Sequence, residues 1–135
     1  MHILLIHQAF AALDEAGGTR HIEMAQYLIR QGHQVTVIAS SVNYLTGKTR
    51  REKTGWVERE EVQPGLTILR AFTYRAFHRS FVHRVLSFIS FMISSFLAGL
   101  SVRKVDLVWG TSPPIFQGMT AWLLARLKGV PFLFE

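Results

Sequence analysis

Gly17 and Gly18 stand side by side in EAGGTR, between an apolar run and a helical pattern, and Thr19 and Arg20 follow them. Glycines at such a place let the backbone come close to a ligand, and a helix N-terminus supplies unpaired N–H groups with a partial positive charge. A phosphate or diphosphate suits both, and Arg20 adds a cation. The spacing is not G-x-G-x-x-G. The second apolar run ends in Ser40 and Ser41, where a dinucleotide site would place a carboxylate for the ribose. A nicotinamide or flavin enzyme is therefore disfavoured. As residues alone, the glycine pair reads equally well as a plain turn.

Other chemistries are excluded by residue type. The chain has no cysteine, which removes disulfides, thiolate metal sites and a thiol nucleophile, and suits a reducing compartment. His7, His21 and His33 have no metal-ligand spacing, so no metal and no other cofactor is expected. There is no G-x-S-x-G, no P-loop and no serine triad. The basic loop GKTRREK carries charge suited to nucleic acid, but no aromatic platform or reading motif accompanies it, so nucleic acid is not an expected partner. His7 and His21 fall near the glycine pair, yet their spacing assigns neither as a catalytic base.

The elements that must hold these residues alternate. HILLIH (His2 to His7) is a nearly continuous apolar run, the pattern of a strand covered on both faces. From Arg20 to Gln31, Ile22, Ala25, Leu28 and Ile29 recur at helical spacing, and Gly32 is the expected stop. QVTVIAS (Gln34 to Ser40) is a second strand, and the polar stretch from Ser41 to Gly55 is an exposed loop. WVEREEV and LTILRAF flank QPG, which predicts an antiparallel hairpin. DLVWGT (Asp106 to Thr111) runs into SPP, where Pro114 opens a helix capped by Thr111 or Ser112, lined along one face by Ile115, Met119, Leu123 and Leu127, and ended by Gly129. VPFLFE opens another strand. The opening MHILLIH lacks a basic leader and a cleavage site and is not read as a secretory signal.

This order predicts an α/β fold: a Rossmann-like, open, mostly parallel sheet with right-handed crossovers, helices on both faces and the hairpin added. Ligands in such sheets bind beyond the carboxyl ends of the strands, so the rim comprises His7 to Arg20, Ser40 to Lys48 and Gly110 to Pro114.

The formal charge of +6 is unevenly placed. No acidic residue lies between Glu61 and Asp106, an interval that holds Arg70, Arg75, Arg79, Arg84, Arg103 and Lys104. Outside it, nine Lys and Arg balance nine Asp and Glu, so the net charge points to a localised anionic partner, or else to an ordinary solvated face. Within the interval, Val85 to Val102 is free of charge over 18 residues. Ser87, Ser90, Ser94, Ala98 and Ser101 share one helical face, and Phe88, Phe91, Met92, Ile93, Phe96 and Leu97 cover much of the rest. Such a helix is either buried in the core or monotopic, with its serine stripe on the sheet and its Phe-rich side in a bilayer interface. A transmembrane span would interrupt the sheet. Arg75, Arg79, Arg84, Arg103 and Lys104 would then meet anionic lipid head groups or the diphosphate of a bound acceptor.

Taken together, HQAF after the first strand, EAGGTRHIEMAQYLIRQGHQVTVIASSVNYLTGK, DLVWGTSPP and GVPFLFE resemble the N-terminal half of family-four glycosyltransferases of the GT-B fold, over nearly the whole chain. The branch resembled acts in bacterial surface-polysaccharide synthesis, often on polyprenyl-linked acceptors. The resemblance implies two Rossmann-like domains across a cleft. Residues 1–135 would be the acceptor-side domain, incomplete at its C-terminus, and the donor domain would be absent. It implies a nucleotide-sugar donor whose diphosphate is approached by Gly17, Gly18, Thr19 and Arg20. His7, Tyr44, Gly47, Lys48, Thr111, Ser112 and Pro113 would lie on the acceptor side. Such enzymes usually retain anomeric configuration, and cations and N–H groups meet the charge on the leaving diphosphate. The expected location is the cytoplasmic face of the inner membrane, and the fragment alone is expected to be inactive. Its last strand, with Phe132 and Phe134 on one side and Leu133 on the other, is an adhesive edge through which it self-associates. The alternative function is a non-catalytic module that binds phosphate-bearing ligands or anionic membranes.

Overall fold

The run HILLI forms a central strand, β1 (His2–Ile6), and the side chains of Ile3 to Ile6 are all buried. Layers on both faces explain this: Ile3 and Leu5 enter one core, Leu4 and Ile6 the other. The computed structural model describes residues 1–8, 10, 19–41, 57–74, 80–112 and 115–135. Along them follow α1 (Arg20–Arg30), β2 (Gln34–Ser40), β3 (Val57–Gln63), β4 (Leu66–Ala71), α2 (Phe81–Ser101), β5 (Leu107–Gly110), α3 (Ile115–Lys128) and β6 (Phe132–Phe134). The six-stranded sheet has the order β3-β4-β2-β1-β5-β6, parallel throughout except for β3, which runs antiparallel to β4. The Rossmann-like expectation and the hairpin are both borne out.

Crossovers of one hand put their helices on opposite faces when the chain steps in opposite directions from β1. Accordingly α1, which links β1 to β2, packs Ile22 and Ala25 on the Ile3–Leu5 face. Helix α3, which links β5 to β6, packs Ala121, Leu124 and Ala125 on the Leu4–Ile6 face beside α2. Helix α1 ends where expected. Gly32 takes φ +89°, its N–H donates to Ile29 O (3.0 Å), and the His33 N–H donates to Leu28 O (3.1 Å). These paired bonds satisfy the last carbonyls of the helix in a left-handed cap that a side chain would strain.

Helices α2 and α3 lie side by side and run the same way. The Phe88 and Phe116 rings are 5.9 Å apart, Thr120 Oγ1 donates to Met92 O (3.3 Å), and Lys128 Nζ donates to Val102 O (2.6 Å). The predicted serine stripe faces the sheet in part. Ser87, Ser94 and Ala98 are buried, Ser90 is half-buried, and Ser101 is exposed. Phe91, expected on the bulky outer side, is instead buried between the helices and the sheet.

The outer stripe of α3 is a larger departure. Ile115, Met119, Leu123 and Leu127 are 41% to 65% exposed, whereas Gln117, Gly118, Thr120, Ala121, Leu124 and Ala125 face inward. Close approach decides the side. A Cβ on Gly110 of β5 would lie 2.6 Å from the Ala121 Cβ, so only small residues fit where α3 crosses the strand.

The basic interval is not one patch. Arg70 is buried in β4, with its Nε 3.6 Å from Glu60 Oε2 and its Nη1 donating to Ser40 O (3.3 Å). Arg84 is exposed in the first turn of α2, and exposed Arg103 and Lys104 follow the other end of that 21-residue helix. At about 1.5 Å per residue the two groups are roughly 30 Å apart. Arg75 and Arg79 lie outside the described residues.

Candidate functional site at the strand switch point

Strands β1 and β5 are parallel neighbours with Ile6 opposite Gly110, and the chain leaves them in opposite directions, towards β2 and towards β6. Doubly wound sheets carry their ligand crevice at such a reversal, beyond the carboxyl ends of the strands. His7 and Gln8 enter it from β1, Thr111 and Ser112 from β5, Arg20 and His21 from the first turn of α1, and Gln117 from the first turn of α3.

The floor is a hydrogen-bonded set centred on the buried Thr111 hydroxyl. His7 Nδ1 lies 2.7 Å from Thr111 Oγ1, Gln117 Nε2 donates to the same oxygen (2.7 Å), and that hydroxyl donates to Ile6 O (3.2 Å). A hydroxyl has one proton and two lone pairs. With its proton directed to Ile6 O and one lone pair taken by Gln117, its remaining lone pair accepts from His7 Nδ1–H. The network therefore assigns the tautomer of His7 that leaves Nε2 as an acceptor. Gln117 Oε1 accepts from the Gln8 backbone N–H (2.7 Å), which ties α3 to the end of β1.

The His21 ring lies over His7 with centroids 4.1 Å apart, and its other neighbour is Trp109 at 5.7 Å. Burial pushes the His7 imidazole down to about 3, and the neighbouring His21 and Arg20 push it the same way. Burial also lowers His21; the Glu135 carboxylate opposes that shift and Arg20 adds to it. His7 is thus neutral at physiological pH, an acceptor and not a proton reservoir. Such a weak base falls well below the range suited to general base catalysis near neutrality.

Arg20, the cation expected beside a diphosphate, is ion-paired with Glu135, whose carboxylate also lies 3.8 Å from His21 Nε2. At 3.8 Å the latter contact acts through charge and not through a hydrogen bond. Ser112 Oγ donates to Glu135 O (2.8 Å), so the segment after β6 closes one side of the crevice. Gln8 Oε1 and Trp109 Nε1 are buried and have no hydrogen-bond partner among the described residues. Each costs about 1–3 kcal/mol unless water or a ligand meets it.

With the fold and the crevice described, the comparison with protein families is decisive: residues 16–135 match the glycosyl transferase 4-like domain. The chain belongs to that family. Among curated proteins, this glycosyl transferase 4-like domain is 31% identical over 109 residues to WcaI of Escherichia coli (strain K12), named for glycosyl transfer in colanic acid biosynthesis. The similarity covers 79% of the chain and 26% of WcaI, so the chain spans about a quarter of that relative's length. Among solved structures, the C-terminal domain of a Pyrococcus furiosus hydrogenase superposes with a TM-score of 0.62 at 15% identity, covering 99% of this chain and 89% of that one. At that identity the likeness shows the fold alone.

The fold brings His7, which precedes the matched residues, together with Arg20, Thr111 and Ser112 at one crevice, and Thr19 stands at the start of α1. Gly17, Gly18, Tyr44, Gly47, Lys48 and Pro113 lie outside the described residues. Gln8, Gln117 and Glu135 were not anticipated. A polar Gln117 on an inner stripe of small and apolar residues was the one available signal; the reach of Glu135 to Arg20 depends on the sheet order and has no local signature. Substituting Gln117 by leucine is expected to cost about 1–2 kcal/mol, because the Gln8 N–H loses its acceptor in a buried place. Urea unfolding measures it, and an unchanged midpoint would contradict the bond.

Proposed function

We propose that the protein carrying this domain transfers a glycosyl group from a nucleotide-sugar to a lipid-linked acceptor, of the polyprenyl type, in the synthesis of a surface polysaccharide. The observation that carries the reading is the switch-point crevice of a glycosyl transferase 4-like domain, with Arg20 at its mouth and neutral His7 on its floor. The acceptor hydroxyl oxygen bonds to the anomeric carbon of the sugar as the bond from that carbon to the diphosphate oxygen breaks, and the hydroxyl proton passes to the departing diphosphate. Configuration is retained, no metal is required, and the negative charge of the leaving diphosphate is met by Arg20 and by N–H groups at the start of α1. Glu135 holds Arg20 in place of a ligand and gives it up as the diphosphate arrives.

The acceptor lies along the β1 and β5 ends, bordered by His7, Thr111, Ser112 and the segments holding Tyr44, Gly47, Lys48 and Pro113. His7 accepts a hydrogen bond through Nε2 and orients the acceptor without taking its proton. A second domain supplies the donor pocket, so this chain by itself does not turn over. The enzyme works at the cytoplasmic face of the inner membrane.

The test uses full-length protein, a panel of nucleotide-sugars and polyprenyl-linked sugar acceptors. Transfer is expected, and Gly18→Trp is expected to lower kcat/KM by roughly a hundredfold, the scale of losing oriented contacts to developing charge, with the fold unchanged by circular dichroism. Undiminished transfer in Gly18→Trp would reduce the glycine pair to a turn. Absence of any transfer together with retained anion binding would select a non-catalytic module.

A further inference from the structure

Helix α2 is 21 residues long with a mean hydropathy of 1.6, enough by length and composition to cross a bilayer, yet one side of it is packed on the sheet. Beyond the exposed Phe81 of its first turn, its outward side is aliphatic and not Phe-rich: Leu86, Ile93, Leu97 and Leu100 are exposed, while Phe91 is buried and Phe88 and Phe96 are half-buried. The outer stripe of α3 continues this surface. Met119, Trp122 and Leu123 stand across from Ile93 and Leu97, and the two helices share an open groove of about 370 Å³ lined by apolar side chains and Thr120.

We infer that this two-helix face seats on an anionic lipid bilayer, with α2 and α3 lying in the plane of the interface. Two independent observations favour lipid over a protein partner. The first is charge. From Val62 to Phe134 the sequence contains a single carboxylate, Asp106, and that one accepts from the His2 N–H (2.7 Å). Cations meanwhile gather where both helices end. Arg103 and Lys104 follow α2, Arg126 and Lys128 close α3, and the Lys128–Val102 bond holds the two ends together. Arg126 also sits over the Trp122 ring at 5.3 Å, which pairs an interfacial aromatic with a head-group ligand.

The second observation is polar closure. A protein partner recognises exposed donors and acceptors, whereas hydrocarbon requires that there be none. From Ile93 to Leu100 the exposed positions of α2 are all aliphatic, and its serines lie off that side: Ser94 and Ser95 are buried, Ser94 donates to Phe72 O just after β4 (2.6 Å), and Ser101, near the helix end, donates to Ala98 O. Thr120, the polar residue of the groove, donates to Met92 O or Phe116 O. The face thus offers apolar surface and almost no hydrogen-bonding group, with cations at its border. This inference is independent of the transfer reaction, because it is read without turnover.

The absence of cysteine makes the test direct. Leu97→Cys and Leu123→Cys carry an environment-sensitive fluorophore, and Tyr27→Cys on the opposite layer serves as control. With phosphatidylglycerol vesicles at low salt, the labels at 97 and 123 are expected to shift to the blue and the label at 27 to stay unchanged. The Leu97→Glu, Leu123→Glu double variant, checked for an unchanged melting curve, is expected to lose vesicle co-sedimentation roughly tenfold or more. Failure of the unlabelled chain to bind these vesicles would overturn the inference. So would equal binding by the double variant, or a dimer that buries positions 97 and 123 in the absence of lipid.

Discussion

Replacing Gly110 by valine is expected to destabilise the protein by about 3 kcal/mol, at the upper end of what overpacking usually costs. The Cβ it introduces would stand 2.6 Å from the Ala121 Cβ and 3.4 Å from the Gly118 Cα, against the roughly 3.5–4.0 Å that carbon atoms prefer. Neither neighbour can rotate away, since one is a methyl group and the other is backbone. Helix α3 must therefore lift from β5. Lifting it opens the core formed by Leu4, Ile6, Ala121 and Leu124, and withdraws Gln117 from Gln8 and Thr111. A chain of this size should lose on the order of 10 °C in Tm. The Gly110→Ala, Ala121→Gly pair distinguishes this cause from a general loss of β-strand stability: the second substitution should recover much of what the first costs. Additive losses in that cycle would contradict the close crossing.

Acid is expected to weaken the fold through His7. Its folded value of about 3 lies below the ordinary 6.5, so the unfolded chain binds the proton more readily throughout that interval. Above pH 6.5 both states are neutral and the group contributes no pH dependence. As pH falls from 6.5 towards 3 the unfolded state gains, and the accumulated loss is on the order of 4 kcal/mol. The lowered value of His21 acts in the same direction. Urea midpoints at several pH values measure the slope, and His7→Phe should flatten it. Ring nitrogen shifts should show His7 neutral at pH 5, with its proton on Nδ1. A midpoint of titration near 6.5 would contradict both the burial and the tautomer.

Local pattern carried most of the element order because each element has a short period of its own. Strand β2 spans Gln34 to Ser40 as its β-branched run suggests, and α1 stops before Gly32 as its cap requires. Orientation was less legible. The most hydrophobic stripe of α3 faces outward, since the approach to Gly110 selects small residues and not apolar ones. The same rule turns the serines of α2 inward, although it also admits Phe91. The basic interval misled in another way: a run of like charge in sequence says nothing about burial, and Arg70 belongs to the interior with Glu60.

The crevice was legible only as a rim. Strand ends could be named, but the meeting of His7 with Thr111 joins residues far apart in sequence and depends on β1 and β5 being neighbours. The polar partners that complete it, Gln8 and Gln117, sit in otherwise apolar surroundings where composition gives little warning. The resemblance anticipated the family correctly, because it draws on several segments at once: HQAF, EAGGTR, DLVWGTSPP and GVPFLFE.

The central position of β1 also bears on how the protein is made. Of the six strands it is the earliest in the chain, yet one of its two partners, β5, is completed at Gly110, roughly 70 residues after β2. At about 5–20 residues per second the unpaired side of Ile3 to Ile6 stays open for roughly 4–14 s on the ribosome. Throughout that time the elements already made hold an apolar strand edge and an uncovered sheet face. The α2 segment that will cover that face emerges within the same interval. Biogenesis, more than final stability, is thus the stage at which this sheet is most vulnerable to wrong pairing, and early contact of α2 with a lipid surface would compete with the docking that protects β1.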